Sequence, residues 1–327
     1  MTNQLVIDDF LDADYFERNL RHDVLTGLGV EPDALKTLPP KWFYDELGSE
    51  LFVEITRLEE YYPTEAERTI LHTYASDIAA VSKADTLVEL GSGAADKTRV
   101  LLDAMSETGQ LNRFVPFDVS NGIVRSSSQE LRELYPSMSI HGVVGDFEHH
   151  LGKIPTGGTR LIALLGGTVG NFEPHQRTQL LANIVSTMQP GDGFLLGTDL
   201  VKDHDRLVLA YDDPHGVTAA FNKNALSVLN NRLEADFDLD NFEHVARFDT
   251  DNEWMDLRLR SLEAQTVHIK ELDLTLNFDE GEEMRTEISA KFREEKVRDE
   301  LSTVGLEMVN WWTDPRDDYA VSLSLFR

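Results

Sequence analysis

The residues most able to do chemistry lie in V-E-L-G-S-G-A-A-D-K-T-R, Val88 to Arg99. An apolar run ends in Glu89 and two glycines, Gly91 and Gly93, and then becomes helix-like. A strand followed by such a turn brings backbone close to a nucleotide-like cofactor. A dinucleotide fingerprint asks for a third glycine, and here that position is Asp96. Two later carboxylates sharpen the signal. Asp118 ends the next apolar segment, F-V-P-F-D, where a carboxylate accepts two hydrogen bonds from a ribose diol. Asp146 and Phe147, in G-D-F, pair an acceptor for an adenine amine with an aromatic face. The tight turn M-Q-P-G-D-G-F-L-L, Met188 to Leu196, is a third feature of the same kind.

Positioning these groups requires a sheet. T-L-V-E-L, F-V-P-F-D, S-I-H-G-V-V, L-I-A-L-L and G-F-L-L-G-T-D-L read as five strands alternating with helices. Near-continuous apolar strands of this kind belong to a parallel sheet covered on both faces. Upstream, a helix is expected around Asp14 to Thr26. Thr64 and Glu67 have capping-box spacing ahead of a helix whose Ile70, Leu71, Tyr74 and Ile78 share a face. After Lys202 the rhythm changes to a helix over Val217 to Leu233 and more polar strand-like segments from Phe242 to Phe278. A helix stopped by Gly305 and two strands joined across Thr313 to Asp318 close the chain as a hairpin. The pattern predicts an α/β chain in which a mostly parallel sheet with a terminal hairpin brackets an insertion. Residues 65–201 and 292–327 would form the cofactor domain, and 15–64 with 202–291 a second, α+β domain.

Composition removes several functions. The 327 residues carry 59 Asp+Glu against 30 Lys+Arg, a formal net charge of −29 that disfavours nucleic acid and anionic membrane surfaces. No cysteine occurs, so disulfides, thiolate metal sites and a cysteine nucleophile are excluded. The first residues lack a secretion-signal pattern, and no apolar run approaches the roughly 18 residues of a membrane helix. A cytoplasmic monomer is expected. No metal is expected either. His149 and His150 in D-F-E-H-H are adjacent and point apart, and the calcium-loop mimic starting at Asp236 has Asn241 and Arg247 where glycine and glutamate are required.

Together the E-x-G-x-G turn, Asp118 and Asp146 resemble a class I, Rossmann-like S-adenosylmethionine-dependent methyltransferase. S-adenosylmethionine has no pyrophosphate, so Asp96 and Glu89 are tolerable, their charge suiting a sulfonium and an ammonium. Five more motifs narrow the likeness: K-W-F-Y-D at 41–45, E-Y-Y-P-T at 60–64, G-G-T-V-G-N-F at 166–172, A-Y-D-D at 210–213, and E-E-M-R-T-E-I-S-A-K-F-R at 282–293. From about Leu38 onward the chain is similar to the histidine-specific Nα-methyltransferase family of ergothioneine biosynthesis, which converts L-histidine to Nα-trimethylhistidine (hercynine). The resemblance implies that Gly91, Lys97, Asp118, Asp146 and Phe147 bind S-adenosylmethionine. It implies that Tyr61, Glu287 and Ser289 hold the imidazole, that Ile288 also binds the substrate, and that Gly166, Asn171 and Tyr211 hold the amino-acid end with Tyr44 near the amine. Asn171 and Tyr44 would be the catalytic pair. Leu257 stands where relatives can carry a methionine.

On residue pattern alone each of these has a plainer role. Tyr44 and Tyr61 could be core aromatics, Asn171 a turn residue, Tyr211 a helix end and Glu287 an edge carboxylate. The alternatives left open are methylation of another small amine, a non-catalytic S-adenosylmethionine sensor, and a nicotinamide dehydrogenase.

Overall fold

The computed structural model describes residues 4–31, 33–93 and 97–327; Asp96 lies outside the described residues. The chain opens with β1 (Leu5–Asp9), α1 (Tyr15–Gly27), β2 (Lys36–Thr37), α2 (Glu46–Ile55) and α3 (Pro63–Ser82). Alternation follows: β3 (Thr86–Leu90), α4 (Thr98–Glu107), β4 (Arg113–Asp118), α5 (Asn121–Leu134), β5 (Ser139–Val144), β6 (Arg160–Leu164), α6 (Pro174–Ser186) and β7 (Gly193–Asp199). Next come α7 (His204–Tyr211), α8 (Val217–Leu233), β8 (Phe242–Asp249), β9 (Trp254–Ser261), β10 (Gln265–Ile269), β11 (Leu274–Phe278) and β12 (Glu283–Ala290). The chain ends with α9 (Glu294–Thr303), β13 (Leu306–Thr313) and β14 (Tyr319–Phe326).

Two compact units result, each assembled from separated stretches. The first holds the chain up to Leu11, Pro63–Val201 and Phe292–Arg327; the second holds Asp12–Tyr62 and Lys202–Lys291. In the first unit eight strands form one sheet in the order β1-β5-β4-β3-β6-β7-β14-β13. Strands β1 and β3 to β7 run parallel to one another, and β14, antiparallel to β7, adds a hairpin with β13. The chain steps outward from β3 through β4 to β5, then returns to lay β6 on the other side of β3. That reversal leaves a crevice at the carboxyl ends of the strands, where open α/β sheets bind ligands. The five predicted strands are β3 to β7. The edge strand β1 was not anticipated; its L-V-I-D-D is short, and only pairing with β5 defines it.

Strands β3 and β6 are buried throughout, as a doubly covered sheet requires. On one face α3 buries Ile70, Leu71 and Ile78 against Leu87, Leu161 and Leu323, while Tyr74 stacks on Trp312 at 5.8 Å. Each such aliphatic side chain contributes roughly 1.5–3 kcal/mol. The capping-box reading of Thr64 and Glu67 is incorrect. Helix α3 already begins at Pro63, and the Glu67 side chain is spent elsewhere, as described below.

The M-Q-P-G-D-G turn also proves structural. Asp192 accepts from the Gln189 and Arg160 backbone N–H groups at 2.8 Å each and from the Arg160 guanidinium at 2.9 and 2.5 Å. This buried pair clamps the amino ends of β6 and β7, the edge opposite the crevice.

In the second unit a four-stranded sheet, β2-β12-β9-β8, packs with α8 and the two-stranded β10-β11 around Leu226, Leu229, Phe242, Leu259 and Phe278. Asp213 initiates α8 by accepting from the backbone of Val217 at 3.1 Å and Thr218 at 2.7 Å. The aromatic segment at 41–52 resolves into a short 3-10 turn, Pro40–Phe43, which buries Trp42 and Phe43. Asp45 then caps α2 through the Gly48 N–H at 2.8 Å. No described helix is long and apolar enough to cross a membrane.

Candidate functional site

In the first unit the glycine turn follows β3. Gly91 and Gly93 adopt φ +70° and +49°, a conformation that favours glycine, and among the described residues nothing lies within 4 Å of where a Cβ would stand, which leaves an open cradle. Three hydrogen bonds lace this turn to the end of β4. The N–H groups of Gly91 and Ser92 donate to the Phe117 carbonyl at 2.8 and 3.2 Å, and Gly93 N–H donates to Asp118 Oδ2 at 3.0 Å. Asp118 Oδ1 accepts from Ser120 N–H at 2.9 Å, leaving further lone pairs for a diol. Burial holds the Asp118 carboxyl above its ordinary range, opposed by those backbone bonds. After β5, Gly145 N–H donates to the Asp118 carbonyl at 2.9 Å. This places Asp146 and Phe147 beside the same edge, with the Phe147 ring 6.3 Å from Phe172.

Two acidic residues complete this edge. Glu89, buried at the end of β3, accepts from the Thr98 hydroxyl and is pushed up to about 7 by burial. Glu67 is fully buried and ties three elements together. Its Oε1 accepts from Gly166 N–H at 2.8 Å and from the Tyr319 hydroxyl at 2.9 Å, and its other oxygen pairs with the Lys97 ammonium. A Cβ on Gly197 would stand 2.3 Å from Glu67 Oε1, which explains a glycine inside a central strand. Lys97 is thus not a free surface lysine, and it lies near Gly166, whose φ is +76°. Asn171 closes the 3-10 turn Thr168–Asn171 that follows, beside Phe172.

S-adenosylmethionine is a group these residues fit. Asp118 and Asp146 offer acceptors, Phe147 a ring face, and the glycine turn an open cradle. Glu89, held near neutrality by desolvation, is a carboxylate that a nearby cation would return to its charged form.

In the second unit Glu287, Ser289 and Leu257 meet on one sheet face. Glu287 lies opposite Leu257 and Ser289 opposite Met255 in the antiparallel β12–β9 pair. A bulge between Arg285 and Glu287 keeps Met284 and Glu287 on the same face although they are three residues apart. The side chain of Ile288 points to the other face, opposite Asp256, within the layer where Arg258 and Arg285 bind that aspartate. Ile288 therefore does not join the cluster through its side chain. Tyr211 ends α7, its hydroxyl 2.9 Å from Ser289 Oγ and its ring 6.0 Å from Tyr61. Tyr61 neighbours Phe52 at 6.4 Å, and Tyr44 packs edge-on against Phe52 and Phe221 at 5.4 and 5.2 Å.

Electrostatics single out Glu287. Burial pushes its carboxyl up to about 7, Lys291 pulling the other way, and no hydrogen bond to it is made among the described residues. Burial, then Glu287, Tyr61 and Tyr211, hold the Tyr44 phenol well above its usual range. Tyr44 is still 47% exposed, so solvent reaches part of its side chain.

Four residues outside the predicted set of site residues hold these groups in place. Besides Glu67 they are Lys291, which donates to the Ser289 and Tyr211 hydroxyls at 2.8 and 2.9 Å, and the His244–Asn222 pair. His244 donates from Nε2 to the Tyr211 carbonyl at 2.8 Å while its Nδ1 accepts from Asn222 at 2.8 Å. Burial lowers the His244 pKa, keeping the ring neutral as this arrangement needs. Lys291 had a sequence signal, the period of two continuing from Glu287 and Ser289; the others had none. Among the described residues no group of three or more His, Cys, Asp or Glu is placed to hold a metal ion.

Residues 20–325 match the family model described as a histidine-specific, S-adenosylmethionine-dependent methyltransferase. The chain is 53% identical over 321 residues to the histidine N-alpha-methyltransferase of Mycolicibacterium smegmatis, covering 98% of this chain and 99% of the relative. It is 53% identical over 305 residues to the enzyme of the same name from Mycobacterium tuberculosis, covering 93% and 94%. Among solved structures, an S-adenosylmethionine-dependent methyltransferase from Clostridium acetobutylicum aligns with a TM-score of 0.46 at 8% identity, covering 85% of this chain and 98% of that one. With a family match that spans nearly its whole length, the chain belongs to the histidine-specific, S-adenosylmethionine-dependent methyltransferases.

Proposed function

We propose that this protein transfers methyl groups from S-adenosylmethionine to the α-amino nitrogen of L-histidine, three in succession, giving hercynine as the first step toward ergothioneine. The observation that carries the substrate is Glu287, a carboxylate raised to about 7 with no hydrogen bond to it among the described residues, beside the Ser289 hydroxyl on one strand face. A neutral imidazole has one N–H and one bare nitrogen. An acceptor and a hydroxyl on adjacent same-face positions suit that ring, and a site of this kind rejects apolar rings by about 10⁴–10⁵. The second unit is accordingly read as the histidine-binding domain and the first as the cofactor domain.

The cofactor supplies an electrophilic methyl carbon on a sulfonium. Glu89 and Asp118 favour that positive charge and the ribose, Asp146 and Phe147 the adenine, and Lys97 the methionine carboxylate. Glu67 keeps Lys97 in place. The α-ammonium of histidine must lose a proton before nitrogen can attack. The raised phenol of Tyr44 retains its own proton at neutral pH, so Tyr44 holds a water that takes the proton and is not itself the base. Asn171 and the Gly166 carbonyl orient the amine, a positioning contribution that supplies much of the rate in such displacements. Tyr211 holds the amino-acid end and Tyr61 the ring, with Leu257 closing the apolar side.

Incubating the protein with S-adenosylmethionine and an equimolar mixture of the twenty free amino acids, followed by mass spectrometry, tests this reading. Histidine alone gaining three methyl groups is expected. Cofactor binding with every amino acid unchanged would remove it in favour of a sensor.

A further inference from the structure

Lys291 follows Ser289 by two residues, so Glu287, Ser289 and Lys291 project from one face of the same extended segment. Its side chain is fully buried. The ammonium donates to Ser289 Oγ at 2.8 Å and to Tyr211 Oη at 2.9 Å, and it stands 4.6 Å from the centre of the Tyr211 ring. The two hydroxyl oxygens are themselves 2.9 Å apart. A buried lysine is costly unless its protons are used, and here two of them meet the same pair of hydroxyls.

An ammonium can only donate, whereas a hydroxyl has one proton and two lone pairs. The 2.9 Å contact allows either hydroxyl to donate, and the phenol, as the stronger acid, is the better donor, which favours a bond running from Tyr211 to Ser289. Both lone pairs of Ser289 are then filled, one by Lys291 and one by Tyr211, and its own proton must point away from them. We propose that Lys291 is a positioning residue for substrate choice: by occupying the acceptor side of Ser289 it fixes that hydroxyl as a donor toward the substrate ring, complementary to the acceptor Glu287. An acceptor and a fixed donor together match the N–H and the bare nitrogen of a neutral imidazole. A phenyl ring satisfies neither, and an indole only the acceptor. The inference rests on the histidine reading above.

A double-mutant cycle tests it, with Lys291→Met, Ser289→Ala and the double variant assayed on L-histidine. Lys291→Met is expected to lower kcat/KM about 10–100-fold, mainly through KM for histidine, with KM for S-adenosylmethionine unchanged. In the Ser289→Ala background the same change is expected to cost less than about 2-fold, because the hydroxyl it acts through is gone. Losses that multiply, or a wild-type KM in Lys291→Met, would overturn the proposal by making Lys291 a structural residue. Should Lys291→Met not fold, as judged by circular dichroism, Lys291→Leu, which likewise cannot donate, goes through the same cycle with the same two criteria. Wild-type turnover is read first. Its absence removes the histidine reading, whereas turnover with multiplying losses removes only the role of Lys291.

Discussion

Replacing Glu287 with glutamine separates the stability of this site from its function. The carboxyl titrates at about 7 in the folded chain against an ordinary value of 4.5. A folded-state pKa raised above the unfolded one means that the folded chain resists ionisation. The wild-type protein is therefore most favoured, as far as this group is concerned, below about pH 4.5, and loses stability as the pH rises through about 7. The 2.5-unit difference at 1.36 kcal/mol per unit gives about 3 kcal/mol as an upper figure above pH 8, falling to about 1 kcal/mol at pH 5. Glutamine keeps the shape and carries no charge to desolvate. Glu287→Gln without ligands should gain up to roughly 5 °C in Tm at pH 8.5 and little at pH 5, measured by differential scanning calorimetry across that range. The same variant should lose about 100-fold in kcat/KM on histidine, a trade of function for stability. A Tm difference that does not change with pH would refute the reasoning, because the carboxyl would then not be held in a desolvating environment.

Other parts of the site make equally definite predictions. Glu67→Gln removes the partner of Lys97 and should weaken S-adenosylhomocysteine about 10-fold by calorimetry while leaving KM for histidine within about 2-fold. Gly197→Ala places a methyl 2.3 Å from Glu67 Oε1 and 2.7 Å from the Tyr319 hydroxyl; it should cost about 1–3 kcal/mol in urea unfolding and weaken the cofactor along with it. Tyr44→Phe should lower kcat at least about 10-fold at pH 7 with histidine KM little changed, whereas an unchanged kcat would make Tyr44 a packing residue.

Much of the architecture was legible because it depends on local pattern. The five near-continuous apolar runs could only be doubly covered strands, and the hairpin at Leu306–Phe326 announced itself by alternation and a short polar turn. Helix α8 was delimited by its apolar spacing alone. The edge strand β1 escaped because five residues of L-V-I-D-D carry too little pattern; the free edge of β5 is what makes them a strand. The Thr64–Glu67 spacing was misleading for a related reason. A capping box is a local rule, and a fully buried glutamate answered instead to Lys97, Gly166 and Tyr319, which lie 30 to 252 positions away.

The sequence by itself determined which residue types were available: the glycine turn, the acids ending β4 and β5, and the two-residue spacing of Glu287 and Ser289 on one strand face. Residue spacing along a strand or turn is covalent geometry, so it survives into any fold. Only the tertiary structure decided which groups would be desolvated and which would find partners. It raised Glu287 and Glu89 to about 7, turned Ile288 away, assigned Lys97 to Glu67, and buried Lys291 against two hydroxyls. Those outcomes depend on burial and on contacts between distant segments, and no window of sequence contains them.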